Sequence, residues 1–587
     1  MGLAPVRKIM TEKIRTLRNG GICCLIFLAC YWAAWPVSNM GFVDDWSYAK
    51  TAEVFANTGH LVYNGWATAM LGWQIPWGAL FIKLFGFSFM TVKLSMLPVA
   101  LGCLLLFYAI LTRFEIAPRN AMIGTLTIGL SPLFMPLAAS YMSDIPGLFV
   151  ILLCLYCCQR AVRAESDRAA IAWLVVAAAT NVAGGTARQV AWLGVLVMVP
   201  CTGWLLRKRR GVLALAMVLW VAGLGCVLYC MHWFAQQPYA ITTTTIRKHS
   251  HALVSLIANT VITGDMMMAQ GICLLLIAFP VLVAWLPKFG RKLDHYVVLL
   301  RFGLLPMVVM EILTHSYAVI WPPHVLYKEL SMRRDAGITW HRDAQRLLIP
   351  SYAQLALSLF LIAALIGCIY VVQNKWREMR DPDRSRGHEM FWLLVPYCLS
   401  YFMLLLPLAW NTISFDRYML GVMPCAIIAL IWLYERCIGP RLPVSSVVWL
   451  VIFGCFGVAG THDWFAWQRA RLAAIHELRS AGIPRRNIEG GFEYDGWTQV
   501  RDGGYIHDER IKIPAGAVKP DLKPANRKDP CLYSFLREVP DVVPKYSVAI
   551  GPKWCDLPSE FPAVHYTSWI PPFRRTIYVR KVANKGE

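Results

Sequence analysis

Thirteen stretches of about 20 mostly apolar residues recur along the chain, and this repetition constrains its fold more than any other feature. Each can form a helix about 30 Å long, the thickness of bilayer hydrocarbon. The runs lie near 20–39, 89–112, 120–140, 145–159, 169–187, 190–206, 211–233, 270–287, 297–320, 350–372, 390–410, 417–435 and 443–461. A helix closes its own backbone hydrogen bonds, which hydrocarbon cannot do for it. The expected fold is therefore an all-α polytopic membrane protein with about 13 transmembrane helices. The run near 145–159 is the shortest, bounded by Pro146 and Arg160. Only 16% of the 587 residues are charged and 57% are hydrophobic, which excludes a soluble globular protein and a disordered one.

A net charge of +22 invites a nucleic-acid reading, but long apolar runs argue against it, and no nucleic-acid partner is expected. The charge instead reports orientation. With the N-terminal tail (Arg7, Lys8, Lys13, Arg15, Arg18) in the cytoplasm, every inner loop is basic, from Arg113 and Arg119 through Arg207–Arg210 to Arg436 and Arg441. The first apolar run lacks a small-residue cleavage site and reads as a retained signal anchor. An odd number of spans places the C-terminus outside. The expected division is a transmembrane domain, 1–461, and a small extracytoplasmic α/β domain, 462–587. In the latter, Trp464–Ala481 reads as an amphipathic helix, with strand-like runs at Tyr546–Ile550 and Thr576–Val579. Of the 18 cysteines only Cys531 and Cys555 lie in that domain, where an oxidising compartment would let them pair. No Asn-x-Ser/Thr sequon occurs, which favours a bacterial plasma membrane as the setting.

Carboxylates stand out on the outer side. The first outer loop, about 40–88, begins Gly41-Phe42-Val43-Asp44-Asp45-Trp46-Ser47-Tyr48. Adjacent carboxylates directly after a span read either as the cap of a helix over Trp46–Asn57 or as a base or metal ligand at the membrane surface. A second short turn holds Ser143-Asp144-Ile145-Pro146, where Asp144 before a proline is also a good helix start.

These two segments resemble motifs of the integral-membrane C-type glycosyltransferases of the protein O-mannosyltransferase and aminoarabinose-transferase type. Asp44-Asp45-Trp46-Ser47-Tyr48 resembles the family's Asp-Glu-x-x-Tyr motif. Ser143-Asp144-Ile145-Pro146-Gly147-Leu148-Phe149 is similar to its Thr-Asp-x-Pro-x-x-Phe motif. Ala187-Arg188-Gln189 and Phe415-Asp416-Arg417-Tyr418 resemble outer-face positions where family members carry basic residues. The resemblance implies a polyprenyl-phosphate sugar donor, a glycolipid, glycan or protein acceptor, and a single inverting displacement with Asp44 as base. Asp45 and Asp144 would then help to orient the site. Two departures are visible: Asp45 stands where Glu is usual, and Gln74-Ile75-Pro76-Trp77 replaces a Lys-Pro-Pro segment. The second puts a metal site there in doubt, so no metal ligand is assigned and a divalent ion stays open.

The chemistry fits the same residues. Transfer from a polyprenyl phosphate needs a base for the acceptor hydroxyl and positive charge for the departing phosphate. The donor's tail stays in the bilayer, so the site belongs at the membrane surface. Lys50, Arg188 and Arg417 are the phosphate candidates, and Tyr48 and Tyr418 complete the expected substrate contacts. Each cation also has a plainer reading as an interfacial lipid anchor. Glu311 and His315, four apart in the ninth run, share a helix face and read plainly as a local pair facing the bundle interior, and Glu311 is the one residue that favours a transporter or flippase. A glycan polymerase, with the same outer-face site, is the third reading. His249-Ser250-His251 reads either as metal-binding or, more simply, as plain surface, and Trp321-Pro322-Pro323-His324 and Arg333-Arg334 could line a donor or acceptor groove but receive no assigned contact.

Overall fold

The computed structural model describes residues 3–242, 253–289, 293–305, 351–375, 381–410, 415–508, 510–511, 534–550, 556–571 and 573–582. Glu311, His315, the 249–251 triplet, residues 321–324, Arg333, Arg334, Cys531, Cys555 and most of the run 297–320 lie outside those residues.

Nine helices among the described residues are long and apolar enough to cross a membrane, which makes the chain a multi-pass membrane protein. They include α1 (Leu3–Ala34), α4 (Phe89–Arg113), α7 (Asp144–Val162) and α8 (Asp167–Gly185). Between α1 and α4 lie two shorter helices of the first loop, α2 (Asp45–Thr58) and α3 (Gln74–Phe85). Local chemistry sets the ends. Ser88 and Ser166 cap α4 and α8 by accepting the Thr91 and Ala169 amides, and Gly59 closes α2 at a left-handed φ of +73°.

Other expected spans are broken. The run near 120–140 becomes two short helices, α5 (Pro118–Gly129) and α6 (Phe134–Ala138), with Ser131 Oγ accepting the Phe134 amide at the restart. The break is used: Gly457 of the last long helix packs on the Leu130 carbonyl, where a Cβ would collide. The run near 190–206 winds through 3₁₀, π and α turns, and the 417–435 run begins in 3₁₀ form and gives an α-helix only over Met423–Cys437. Asn181 bonds the Ala191 carbonyl and the Val195 amide, groups that the irregular turns free.

Among the described membrane-length helices, the run least convincing by length is the best buried. In α7, 72% of the apolar window lies inside the protein, against 22% in the helix Arg210–Ala235. α7 is the centre of the bundle, so whatever its first turn carries is held firmly.

The last long helix, Val444–Ser480, runs without interruption through the position where a domain boundary is expected and takes in the amphipathic segment after it. A five-stranded sheet follows, ordered β1 (Ile488–Glu489), β2 (Tyr546–Ala549), β5 (Arg574–Val582), β3 (Asp556–Leu557), with β4 (Val564–Thr567) pairing β5. β1 and β2 are parallel and the other pairs antiparallel, with Val548 opposite Val579. The helix Phe492–Asp502 rests on the first loop: Phe492 meets Trp46 edge-on at 5.8 Å, and Trp497 stacks on Phe87 at 5.4 Å. The first loop is thereby clasped between the bundle and the C-terminal residues.

Candidate active site

Asp44 sits at the N-cap of α2 yet its side chain makes no capping hydrogen bond. The residue before it, Val43, is held at φ +51°, a left-handed conformation that a β-branched side chain rarely adopts. Strain of this kind persists only where the surroundings enforce it. Here it turns the Asp44 carboxylate away from its own helix. Oδ2 lies 3.3 Å from Arg417 Nη2, and Oδ1 accepts the Trp66 indole N–H at 2.9 Å.

Trp66 arrives by a separate route. Asn64 is bonded to Ser47 through both ends of its amide and accepts the Ile506 amide on its carbonyl at 2.8 Å. Gly65 follows at φ +80° with its Cα against the Ile506 backbone, where a Cβ would stand 2.6 Å from the carbonyl oxygen. Only glycine fits both requirements, and the turn it makes delivers Trp66 to Asp44.

Asp144 comes from the first turn of α7, and it does not cap the helix either. Its carboxylate is nearly sealed, with 1% of the side chain exposed, and it lies 2.9 Å from Arg188 Nη1 and 3.7 Å from Arg417 Nη1. Arg188 follows α8 and also donates to Ser143 Oγ at 3.3 Å. Its stem lies across Gly147, where a Cβ would come within 2.8 Å of Arg188 Cδ. The glycine of the Ser-Asp-Ile-Pro-Gly segment is therefore the space the arginine needs. Arg417 stands in the 3₁₀ turn Asp416–Gly421, whose start is fixed by the Arg417 amide donating to Asp416 Oδ1 at 2.7 Å. Tyr418 lies beneath both guanidiniums, at 5.5 Å and 5.8 Å, and Tyr401 donates to its carbonyl at 2.7 Å.

Four charges from four separate segments thus form one chain, Asp44–Arg417–Asp144–Arg188, beside a small pocket lined by Asp144, Gly147, Arg188, Tyr401, Arg417 and Gly421. Of the two carboxylates, Asp44 is the accessible one, with 19% of its side chain exposed. Tyr48 is buried among these groups. Burial raises its phenol above the usual range, Asp44 adds to the shift, and Arg417 works against it, so the ring stays neutral.

The other two loop candidates are elsewhere. Asp45 is fully buried, and its carboxylate accepts the Phe42 amide at 2.5 Å and the Tyr141 amide at 2.9 Å, tying the loop before α2 to the turn before α7. Burial pushes its pKa up to about 6 against the pull of Lys93 and the two amides, with Glu493 adding to the rise. Lys50 pairs with Glu53 at 3.0 Å and lies 5.8 Å over Trp497, so its described partners are not those of the four-charge chain. Sequence reasoning missed Trp66, Tyr401 and Ser143. Nothing marked Trp66 apart from the other aromatics of its loop. Among the described residues no three His, Cys, Asp or Glu side chains converge as a metal site needs. A guanidinium also occupies the space between Asp44 and Asp144, so these residues do not fit a cation.

No family model matches the chain, and no curated protein matches it. Solved structures do align with it. ArnT from Cupriavidus metallidurans in the apo state aligns over 79% of this chain and 81% of its own, at 14% identity and a TM-score of 0.33. ArnT from the same organism bound to undecaprenyl phosphate aligns over 95% and 98%, at 13% and 0.35. The oligosaccharyltransferase of Archaeoglobus fulgidus, in complex with zinc and sulfate, aligns over 90% and 67%, at 14% and 0.47. ArnT and the oligosaccharyltransferase are C-type glycosyltransferases, the type that the motifs around Asp44 and Asp144 resemble. At such identities and TM-scores, the chemistry of the site rests on its own side chains.

Proposed function

We propose that this chain is a membrane glycosyltransferase that moves a sugar from a polyprenyl-phosphate donor to a hydroxyl on a lipid, glycan or protein acceptor, at the outer face of a bacterial plasma membrane. The observation that carries the reading is one accessible carboxylate, Asp44, paired with Arg417 in a cluster where the sealed Asp144 meets both Arg417 and Arg188 and balances only one of their two charges.

Asp44 takes the proton of the acceptor hydroxyl as that oxygen attacks the anomeric carbon. The bond from that carbon to the phosphate oxygen breaks, and the polyprenyl phosphate leaves with the electron pair and one more negative charge. Arg188 and Arg417 hold that developing charge, in a site where little water screens it. Attack from the side opposite the leaving group inverts the anomeric centre. Asp144 touches neither reacting atom in this scheme; it positions the two guanidiniums. Trp66 fixes the rotation of the Asp44 carboxylate, whose exposed edge is left for the acceptor. The N-terminus would then lie in the cytoplasm, with the sheet and the first loop outside.

The experiment expresses the parent chain and Asp44→Asn in cells lacking this protein and compares envelope glycolipids and polymers by mass spectrometry. The parent is expected to restore a sugar that the Asn variant does not. Full restoration by Asp44→Asn would remove Asp44 from the role of base.

A further inference from the structure

The segment between β4 and β5 exposes two aromatic side chains, Trp569 and Phe573, although it belongs to the part of the chain expected in water. Trp569 is 46% exposed and Phe573 60%, and Arg574 beside them is exposed as well. Two large aromatics and a cation at the tip of a hairpin are unexpected on a free aqueous surface.

The turn is not loose. Asp463, buried in the helix Val444–Ser480, accepts the amides of Trp569 at 2.7 Å and Ile570 at 2.9 Å, and its second oxygen also takes the Ser568 hydroxyl. His462 stacks on Trp569 with ring centres 4.0 Å apart. The Ser568 amide donates to the Phe573 carbonyl at 2.9 Å and closes the loop. The hairpin tip is therefore locked to one height on a membrane-crossing helix.

That height can be read from the helix. Asp463 lies 19 residues after Val444, which at 1.5 Å per residue is about 28 Å, close to the thickness of bilayer hydrocarbon. The sequence agrees, since apolar residues give way to Thr461-His462-Asp463 at that level. A second marker is independent. Arg469 on the same helix donates to the carbonyls of Trp35 and Val37, at 3.0 Å each, just past the apolar run of α1, where Trp32 and Trp35 are about half exposed. Helical side chains lean toward the N-terminus, so Arg469 reaches back to the level of the hairpin turn. Exposed tryptophans at that level on two separate elements describe an aromatic belt at a membrane–water interface.

We propose that the β4–β5 turn is a membrane-docking tip: Trp569 and Phe573 enter the headgroup layer of the bilayer that the bundle crosses, and Arg574 meets the lipid phosphates. The partner is the phospholipid surface itself. Such docking holds the sheet down on the membrane and, through the helix Phe492–Asp502, steadies the first loop.

The test uses the full chain in lipid nanodiscs doped with a phospholipid carrying a diazirine near its headgroup. After illumination, peptides covering 568–575 are expected to carry lipid adducts, and peptides covering Glu560, on an exposed loop of the same sheet, are not. Adducts confined to the spans would overturn the proposal. As a second readout, a spin label is attached through a keto amino acid at position 573 or 560. The ratio of oxygen to nickel-complex collisions is expected to be several-fold higher at 573 than at 560, approaching that of a label at lipid-facing Leu228. Equal ratios at 573 and 560 would also overturn it. Neither result depends on enzymatic activity, so the docking tip can fail while the glycosyltransferase reading stands, and the reverse.

Discussion

Two clusters of buried charge lie one residue apart in sequence. In one, Asp44 joins Arg417, Asp144 and Arg188 beside a pocket, and the carboxylate keeps an accessible edge. In the other, Asp45 lies fully buried within the electrostatic reach of Lys93 and Glu493, and Glu493 is paired with Arg471 at 3.1 Å with no exposure on either side chain. Lys93 donates to the Met40 carbonyl at 2.5 Å and the Ser38 carbonyl at 3.3 Å, so this second cluster fastens the loop that leads into α2. The lesson is in the partners. Asp45 is saturated by backbone amides, which position a chain, whereas Asp44 is met by an indole and a guanidinium, which leave it able to exchange a proton or a partner.

The contrast can be broken at either end. The largest effect is expected for Asp44→Asn, which removes the base while keeping the shape: turnover falls by about 10²–10⁴-fold, with the melting temperature of the purified protein unchanged. Replacing either arginine by Ala removes a charge aimed at the leaving phosphate and is expected to cost about 10²–10³-fold in rate. Loss of stability without loss of rate in these variants would exchange the roles given to the two clusters.

Asp45→Asn should do the opposite. One of its two buried amides then faces an NH₂ group, at a cost of about 1–3 kcal/mol, read as a lower melting temperature. The fraction that stays folded retains its turnover. A pH dependence accompanies it. With the carboxyl of folded Asp45 pushed up to about 6, the folded state holds that proton more tightly than the unfolded chain. The resulting stability is present in full below the ordinary carboxylate range and is lost as pH rises through about 6. A melting curve taken across that window should fall for the parent and flatten for Asp45→Asn. Among the residues of the four-charge chain and its partners, the smallest catalytic effect is expected for Trp66→Phe, which keeps a ring but loses one hydrogen bond to a charged group. Its cost of about 1.5–3 kcal/mol should appear in kcat more than in KM.

Much of the candidate site's geometry was legible in the sequence. Asp44, Asp144, Arg188 and Arg417 come from segments scattered over most of the chain, yet spans and loop charges placed all four on one face, and the fold brings them within ion-pair distance. Asp45 and Lys50 could not be sorted that way. Neighbours on a helix point in different directions, and which direction meets the pocket depends on Tyr141, Lys93 and Trp497, residues far away in sequence. The spans were legible by hydropathy, but the breaks within 120–140 and 190–206 were not. There apolar composition continues while the backbone turns to admit Gly457 or to let Asn181 take over its hydrogen bonds.

The most direct test separates binding from chemistry in one preparation. Parent, Asp44→Asn and Arg417→Ala chains are placed in nanodiscs, and both polyprenyl-phosphate binding and sugar transfer are measured. The expected result is parent-like binding with transfer at background for Asp44→Asn, and weakened binding for Arg417→Ala. Transfer by Asp44→Asn at the parent rate would contradict the assignment of Asp44 as the base.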